Sequence, residues 1–279
     1  IGKNECPTYH LYYDAYRDLN YRAGCNEANA MRLLSVALVA LLAGCSSAPK
    51  TISDEQRMEI TENFQGLQEN YRERLQNNAQ DHAAAVSLAR VYFKGGDLEA
   101  ATYYLDQVPD ETCNTLDGCW ITRADIGYAN EDFNNAKYFI DHSLAVQKDT
   151  YAAKNLYGII MATEGDYQTA KRYFFEARLG FKDESAIRNN LAMTEMMEGR
   201  YAEAAERLMP LYKKGQVDPT IRANLIVSLM RSDQEHVVKR MLLQEHTEQE
   251  ALLYFAQLKD DLDSWPKAIG QATTDEEIE

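Results

Sequence analysis

Proline and glycine are scarce in this sequence, 6 and 14 in 279 residues, so long stretches run without a chain breaker. That scarcity excludes a collagen-like chain or a sandwich of many short turn-linked strands, and it favours helices. Cations are short as well. Lys and Arg number 29 against 44 Asp and Glu, and the net charge of -15 excludes a phosphate-tracking nucleic-acid binder. There is no GxSxG, no Gly-Lys-Ser/Thr phosphate loop, no GxGxxG and no HExxH. The histidines do not converge either: His10, His82, His142, His236 and His246 fall in separate segments. Carboxylates abound, but on amphipathic stretches a charge run is a solvated face. Hydrophobic residues make up 45% of the chain, enough for a large core. The sequence therefore reads as a binding module rather than an enzyme, with no metal or cofactor implied.

Long apolar runs are missing too, with one exception. From Met31 the chain reads MRLLSVALVALLAGCSS, a basic Arg32 followed by an apolar run from Leu33 to Ala43. The run is too short for a permanent membrane span but has the layout of a secretory signal peptide. Leu42-Ala43-Gly44-Cys45 resembles the lipobox of bacterial lipoproteins, in which cleavage precedes the cysteine and its thiol takes a diacylglycerol. A buried hydrophobic helix or a plain cleavage site is the alternative. Ser46 next to the cysteine resembles the sorting signal for an outer-membrane lipoprotein facing the periplasm. Acyl chains such as palmitate add about 0.8 kcal/mol of membrane affinity per buried methylene, so a multiply acylated Cys45 anchors without a transmembrane helix. On this reading residues 1–30 are an upstream extension or a mis-set start, 31–44 the signal peptide, and 45–52 the lipidated cysteine and its tether.

The rest of the chain is periodic. Gly96-Asp97-Leu98-Glu99-Ala100-Ala101, Glu131-Asp132-Phe133-Asn134-Asn135-Ala136, Gly165-Asp166-Tyr167-Gln168-Thr169-Ala170 and Gly199-Arg200-Tyr201-Ala202-Glu203-Ala204 recur about 34 residues apart. A small-polar-aromatic-x-x-Ala turn at that period resembles the tetratricopeptide repeat, a pair of antiparallel helices. The expected fold is all-α, a superhelix of about five helix-turn-helix units over residues 53–262 plus flanking helices. Residues 53–78 read as one amphipathic helix capped by Ser53, and the fifth unit is degenerate, with Asp233-Gln234-Glu235 in place of the glycine turn. Residues 263–279 form an acidic tail.

Five cysteines is an odd count. With Cys6 and Cys25 upstream and Cys45 lipidated, Cys113 and Cys119 remain, in the loop between the first two units. In an oxidising periplasm a disulfide is favoured over a metal site, since there is no CxxC and no neighbouring His pair.

In the tetratricopeptide repeat, the first helix of each unit lines a groove. In this register the groove carries Arg90, Phe93 and Lys94, then Asp125 and Tyr128, then Asn155 and Ile159. Asn189, Met193, Met196 and Met197 follow, and Met230 with Arg231 come last. The methionines suggest an adaptable apolar binding floor, with core filling as the alternative. Asn190 and Asn224 resemble the asparagines that hold peptide backbone in peptide-binding repeats, or else cap helices.

Arg188-Asn189-Asn190-Leu191-Ala192 with Gly199-Arg200-Tyr201 and Ala204-Ala205, and Ile221-Arg222-Ala223-Asn224-Leu225 one unit later, resemble the TadD lipoproteins of tight-adherence (Flp pilus) secretion systems. The resemblance covers residues 31 to about 260. It implies an outer-membrane-anchored periplasmic scaffold or pilotin-like protein in pilus assembly. Secretion-system proteins, the outer-membrane secretin or pilus components among them, are its implied partners. PilF/PilW-like pilotins and NlpI- or BamD-like envelope adaptors are the alternatives.

Overall fold

The computed structural model describes residues 53–61, 63–147, 150–180, 184–215 and 218–263. Cys45, with the signal, tether and upstream segments, lies outside them, as does the chain from 264 on. Among the described residues every regular element is helical, with fourteen α-helices and no strand.

The first two helices correct the expectation of one helix over 53–78. Ser53 opens α1 (Asp54–Ile60) reciprocally: its Oγ accepts from the Gln56 amide at 3.1 Å while Gln56 Oε1 accepts from the Ser53 amide at 3.2 Å. The helix then stops at Thr61, whose hydroxyl donates back to the Arg57 carbonyl at 2.9 Å. Asn63 starts α2 (Phe64–Asn77), its Oδ1 accepting from the Gly66 amide at 3.0 Å. Thr and Asn side chains compete for backbone groups and so break a helix that hydrophobic spacing alone would continue.

Five helix pairs follow in the expected register. The first is α3 (His82–Lys94) with α4 (Leu98–Leu105), followed by a single turn, α5 (Asp110–Cys113). Then come α6 (Cys119–Ala129) with α7 (Phe133–Ala145), and α8 (Thr150–Thr163) with α9 (Tyr167–Ala177). The last two pairs are α10 (Ser185–Met197) with α11 (Tyr201–Lys213) and α12 (Pro219–Arg231) with α13 (Glu235–Glu245), and α14 (Glu248–Asp263) packs on α13. We call the members of each pair A and B.

The repeated phrase does two jobs at the first three A-to-B turns and the second of them at the fourth. Its aspartate caps helix B: Asp97, Asp132 and Asp166 accept from the amides of Ala100, Asn135 and Thr169 at 2.9, 3.1 and 3.0 Å. Its alanine, Ala101, Ala136, Ala170 or Ala204, is fully buried and lets A and B approach closely. Leu105, Ile140, Phe174 and Leu208, one turn further along helix B, are buried as well and extend the core from unit to unit.

The residue that opens the phrase has positive φ in all five units, at Gly96 (82°), Glu131 (60°), Gly165 (86°), Gly199 (77°) and Asp233 (59°). In two units a side chain therefore sits in the left-handed region, which costs Glu more than Asp because a short polar side chain bonds locally there. Glu131→Gly is expected to raise the unfolding free energy by about 0.5–1 kcal/mol, net of glycine's greater unfolded-state entropy. Asp233→Gly should gain less. Thermal melts of the two variants check the order.

Candidate protein-binding surfaces

The A helices of successive units pack directly on one another: α6 touches α8, α8 touches α10, and α10 touches α12. This seam closes most of the groove expected from the sequence. Phe93, Asp125, Tyr128, Asn155, Asn189, Asn190 and Asn224 are buried in it, and Tyr128 is fully enclosed. Met193 and Met197 are 2% and 8% exposed and belong to the central core cluster, so the expected methionine floor is core packing. Met is apolar and unbranched, and sequence spacing cannot tell a floor open to a partner from one covered by the next helix. Met196, Met230 and Lys94 are half-buried, and Arg90 is exposed. Arg231 is half-buried and donates from Nη2 to the Leu262 carbonyl at 2.6 Å, which ties α12 to the end of α14.

Asn190 and Asn224 do not present their amides to a peptide. Asn190 Nδ2 donates to Asn155 Oδ1 at 2.8 Å, and Asn224 Nδ2 donates to Asn189 Oδ1 at 2.8 Å, each 35 residues apart. Two buried rungs thus join the third unit to the fourth and the fourth to the fifth. Removing one partner strands the other in a dry interior. Asn190→Ala is expected to lower stability by about 1–3 kcal/mol, measured by denaturant unfolding, with Asn155→Ala/Asn190→Ala losing less than the sum of the single changes.

A second repeated contact lies nearer the surface. Lys137 Nζ meets Glu164 Oε1 at 2.7 Å, and one unit on, Lys171 Nζ meets Glu198 Oε2 at 2.6 Å. Burial pushes the Glu198 carboxyl up, but hydrogen bonds from Lys171 and Arg200 and their charges outweigh it and hold it below the usual carboxylate range. A depressed carboxylate stabilises the fold above its unfolded pKa, and that contribution is lost as pH falls through the folded one. Glu198→Gln should therefore show a shallower fall in Tm below about pH 4 than the parent chain.

Cys113 and Cys119 are joined by a disulfide, and both are fully buried. The bond ties α5 to the first turn of α6, where Trp120 stacks on His142 at 4.5 Å between ring centres. Among the described residues no group of three His, Cys, Asp or Glu is placed to hold a metal ion, and no helix is long and apolar enough to cross a membrane.

With the seam closed, the B helices carry several open apolar side chains; others lie at Ile60 on α1, Tyr151 on α8 and Leu252, Leu253 and Tyr254 on α14. Tyr103 of α4, Tyr138 of α7 and Phe175 of α9 are exposed, as is Leu179 just beyond α9. Tyr103 and Tyr138 occupy matching positions in successive units. The repeat pattern points to the A helices as the lining of a groove and so conceals these B-helix residues. Their signal, large apolar residues where an amphipathic B helix should be polar, was present.

No curated protein matches the sequence. The family model of the coatomer epsilon subunit matches residues 52–272, which takes in every helix described above. The chain belongs to the coatomer epsilon subunit family. That family is helical and tetratricopeptide-like, so the expected fold stands, whereas the resemblance to TadD lipoproteins is overturned by the match. The reason lies in the residues that carried it. Asn189, Asn190, Leu191 and Ala192 are all buried, and two of them are rungs between units. In this member of the coatomer epsilon family the phrase serves the stacking of helix pairs, a requirement of the repeat rather than of one secretion system.

Proposed function

We propose that the chain is a non-catalytic scaffold that holds a partner protein on the outer faces of its B helices, anchored through lipid on Cys45 at the periplasmic face of an outer membrane. The exposed row of Tyr103, Tyr138, Phe175 and Leu179 carries this reading. Aromatic side chains placed in water on a repeat scaffold supply large, rigid contact area for a partner. The name of the matched family is that of a subunit, a component of a larger assembly, and supports the same role. The lipobox-like Leu42-Ala43-Gly44-Cys45 supports the anchor, and a buried disulfide suits an oxidising compartment. Pilus assembly and a secretin partner were implications of the TadD resemblance and form no part of the proposal.

Photo-crosslinking side chains placed at Tyr138 and Phe175 in cells should each give a discrete protein adduct, and one at the exposed Glu203 should not. Failure at both positions overturns the scaffold surface. Cys45→Ala should lose the acyl mass and move from the membrane to the soluble fraction. An unchanged distribution overturns the anchor.

A further inference from the structure

The B helices of the last two units, α11 and α13, leave between them a cavity of about 820 Å³ that reaches the first turn of α12. That volume is within the range of sites that take a side chain or a small ligand. Met209 and Tyr212 of α11 and Val237 and Met241 of α13 give it an apolar floor. Lys213, Arg222 and Arg240 line it as well, with Glu245 as the one carboxylate among the lining residues. Arg222 Nη2 donates to Glu245 Oε2, which occupies that carboxylate, while Arg222 Nε is buried without an acceptor. The lining is thus net positive in a chain of net charge -15.

This cationic lining is not a by-product of the repeat. The corresponding gap between the first two B helices, about 600 Å³, is lined by Asp106, Asp110 and Asp132. Its one arginine, Arg123, pairs with Asp110 at 2.6 Å and donates to the carbonyls of Val108 at 2.6 Å and Leu105 at 3.3 Å, which leaves Asp106 and Asp132 as net negative lining. Along the sequence, Val237, Arg240 and Met241 stand where the preceding unit has Glu203, Glu206 and Arg207. In the last unit two polar positions have become apolar and an acid has become a base.

We propose that this cavity docks an acidic peptide segment of a partner protein that carries an apolar side chain. The apolar side chain lies over Met209 and Met241, the flanking carboxylates meet Lys213 and Arg240, and the segment offers Arg222 Nε the acceptor it lacks. Burial of the anchor supplies affinity, and the surrounding charges supply selectivity. Elsewhere the acidic surface repels such a segment, so the local field directs it here. The inference rests on the reading of the chain as a protein-binding scaffold, but not on the membrane anchor or the aromatic row.

Fluorescence anisotropy of the full chain with labelled Glu-Asp-Leu-Glu-Glu tests it, against Gln-Asn-Leu-Gln-Gln and Glu-Asp-Ser-Glu-Glu. The acidic leucine peptide should bind saturably, with each control weaker by about tenfold or more, and added salt should weaken it. Lys213→Glu/Arg240→Glu, two exposed positions, should lose about tenfold in affinity with an unchanged melting curve. The proposal is overturned if no peptide saturates, if either control binds as well, or if the double variant binds undiminished. Crosslinks at Tyr138 and Phe175 that persist through such a failure would leave the scaffold reading standing and remove only this site.

Discussion

Arg207→Met is expected to lower the unfolding free energy by about 3 kcal/mol, because it leaves a buried carboxylate without its counter-charge. The Glu195 side chain is 6% exposed, and Arg207 reaches it from α11 with two nitrogens, Nε at 2.9 Å from Oε2 and Nη2 beside Oε1. The hydrogen bond to Glu195 pushes the Arg207 pKa up further and holds the guanidinium in its charged form. The estimate is taken from the low end of the range for broken buried pairs because Arg207 is 31% exposed and water can reach the site after truncation. The fifth unit shows how the loss is recovered. Leu229 and Met241, both buried, occupy the positions that match Glu195 and Arg207. The double variant Glu195→Leu/Arg207→Met copies that pair and should return to within about 1 kcal/mol of the parent, since apolar replacement of a whole buried pair is close to neutral. Urea unfolding of the three variants measures the cycle. A single variant as stable as the parent would show that the pair contributes nothing.

Phe174→Ala is expected to cost about 3–5 kcal/mol, the range for deleting a fully buried ring from a packed core. Phe174 belongs to a matched set. A β-carbon added at Gly158 would lie 2.7 Å from Phe174 Cε1, so the third unit pairs the smallest residue on helix A with the largest on helix B. The first and fourth units instead set Ala89 with Leu105 and Ala192 with Leu208. Gly158→Ala alone should therefore destabilise by about 1–3 kcal/mol, despite alanine's better helix propensity, because the ring has no room to retreat. Gly158→Ala/Phe174→Leu restores the pair used elsewhere in the chain and should be more stable than Gly158→Ala. Thermal melts decide it: additive losses in the double variant would mean that the two positions do not compete for the same space.

Both results depend on choices that differ between units, and these are the ones a 34-residue period cannot reveal. Periodicity located the helix pairs because the phrase from Gly96 to Ala101 and its successors encode local events: a left-handed residue, an aspartate cap and a small residue at the crossing. Each acts within one turn of chain and leaves its mark in adjacent letters. The break at Thr61 is equally local but runs against the apolar spacing, and side-chain competition for the backbone decided it. The A-helix positions named as groove residues were in the right helices, yet most of them are inside. Whether Met193 or Asn190 meets solvent or the next unit depends on how closely successive A helices approach, a distance that no single repeat contains.

By itself the sequence determined the all-helical class, the five-unit register, the turn chemistry and the acidity of the repeat domain, all of which follow from composition and from interactions a few residues long. The tertiary structure alone decided that the inner seam is shut, that the asparagines join units at a spacing of 35 residues, and that Tyr103, Tyr138 and Phe175 of the B helices stay open. It also gathered Lys213, Arg222 and Arg240 from three helices around one cavity. Stacking creates the seam and the rungs, because these arise between residues a full unit apart that meet only when one helix pair is laid against the next.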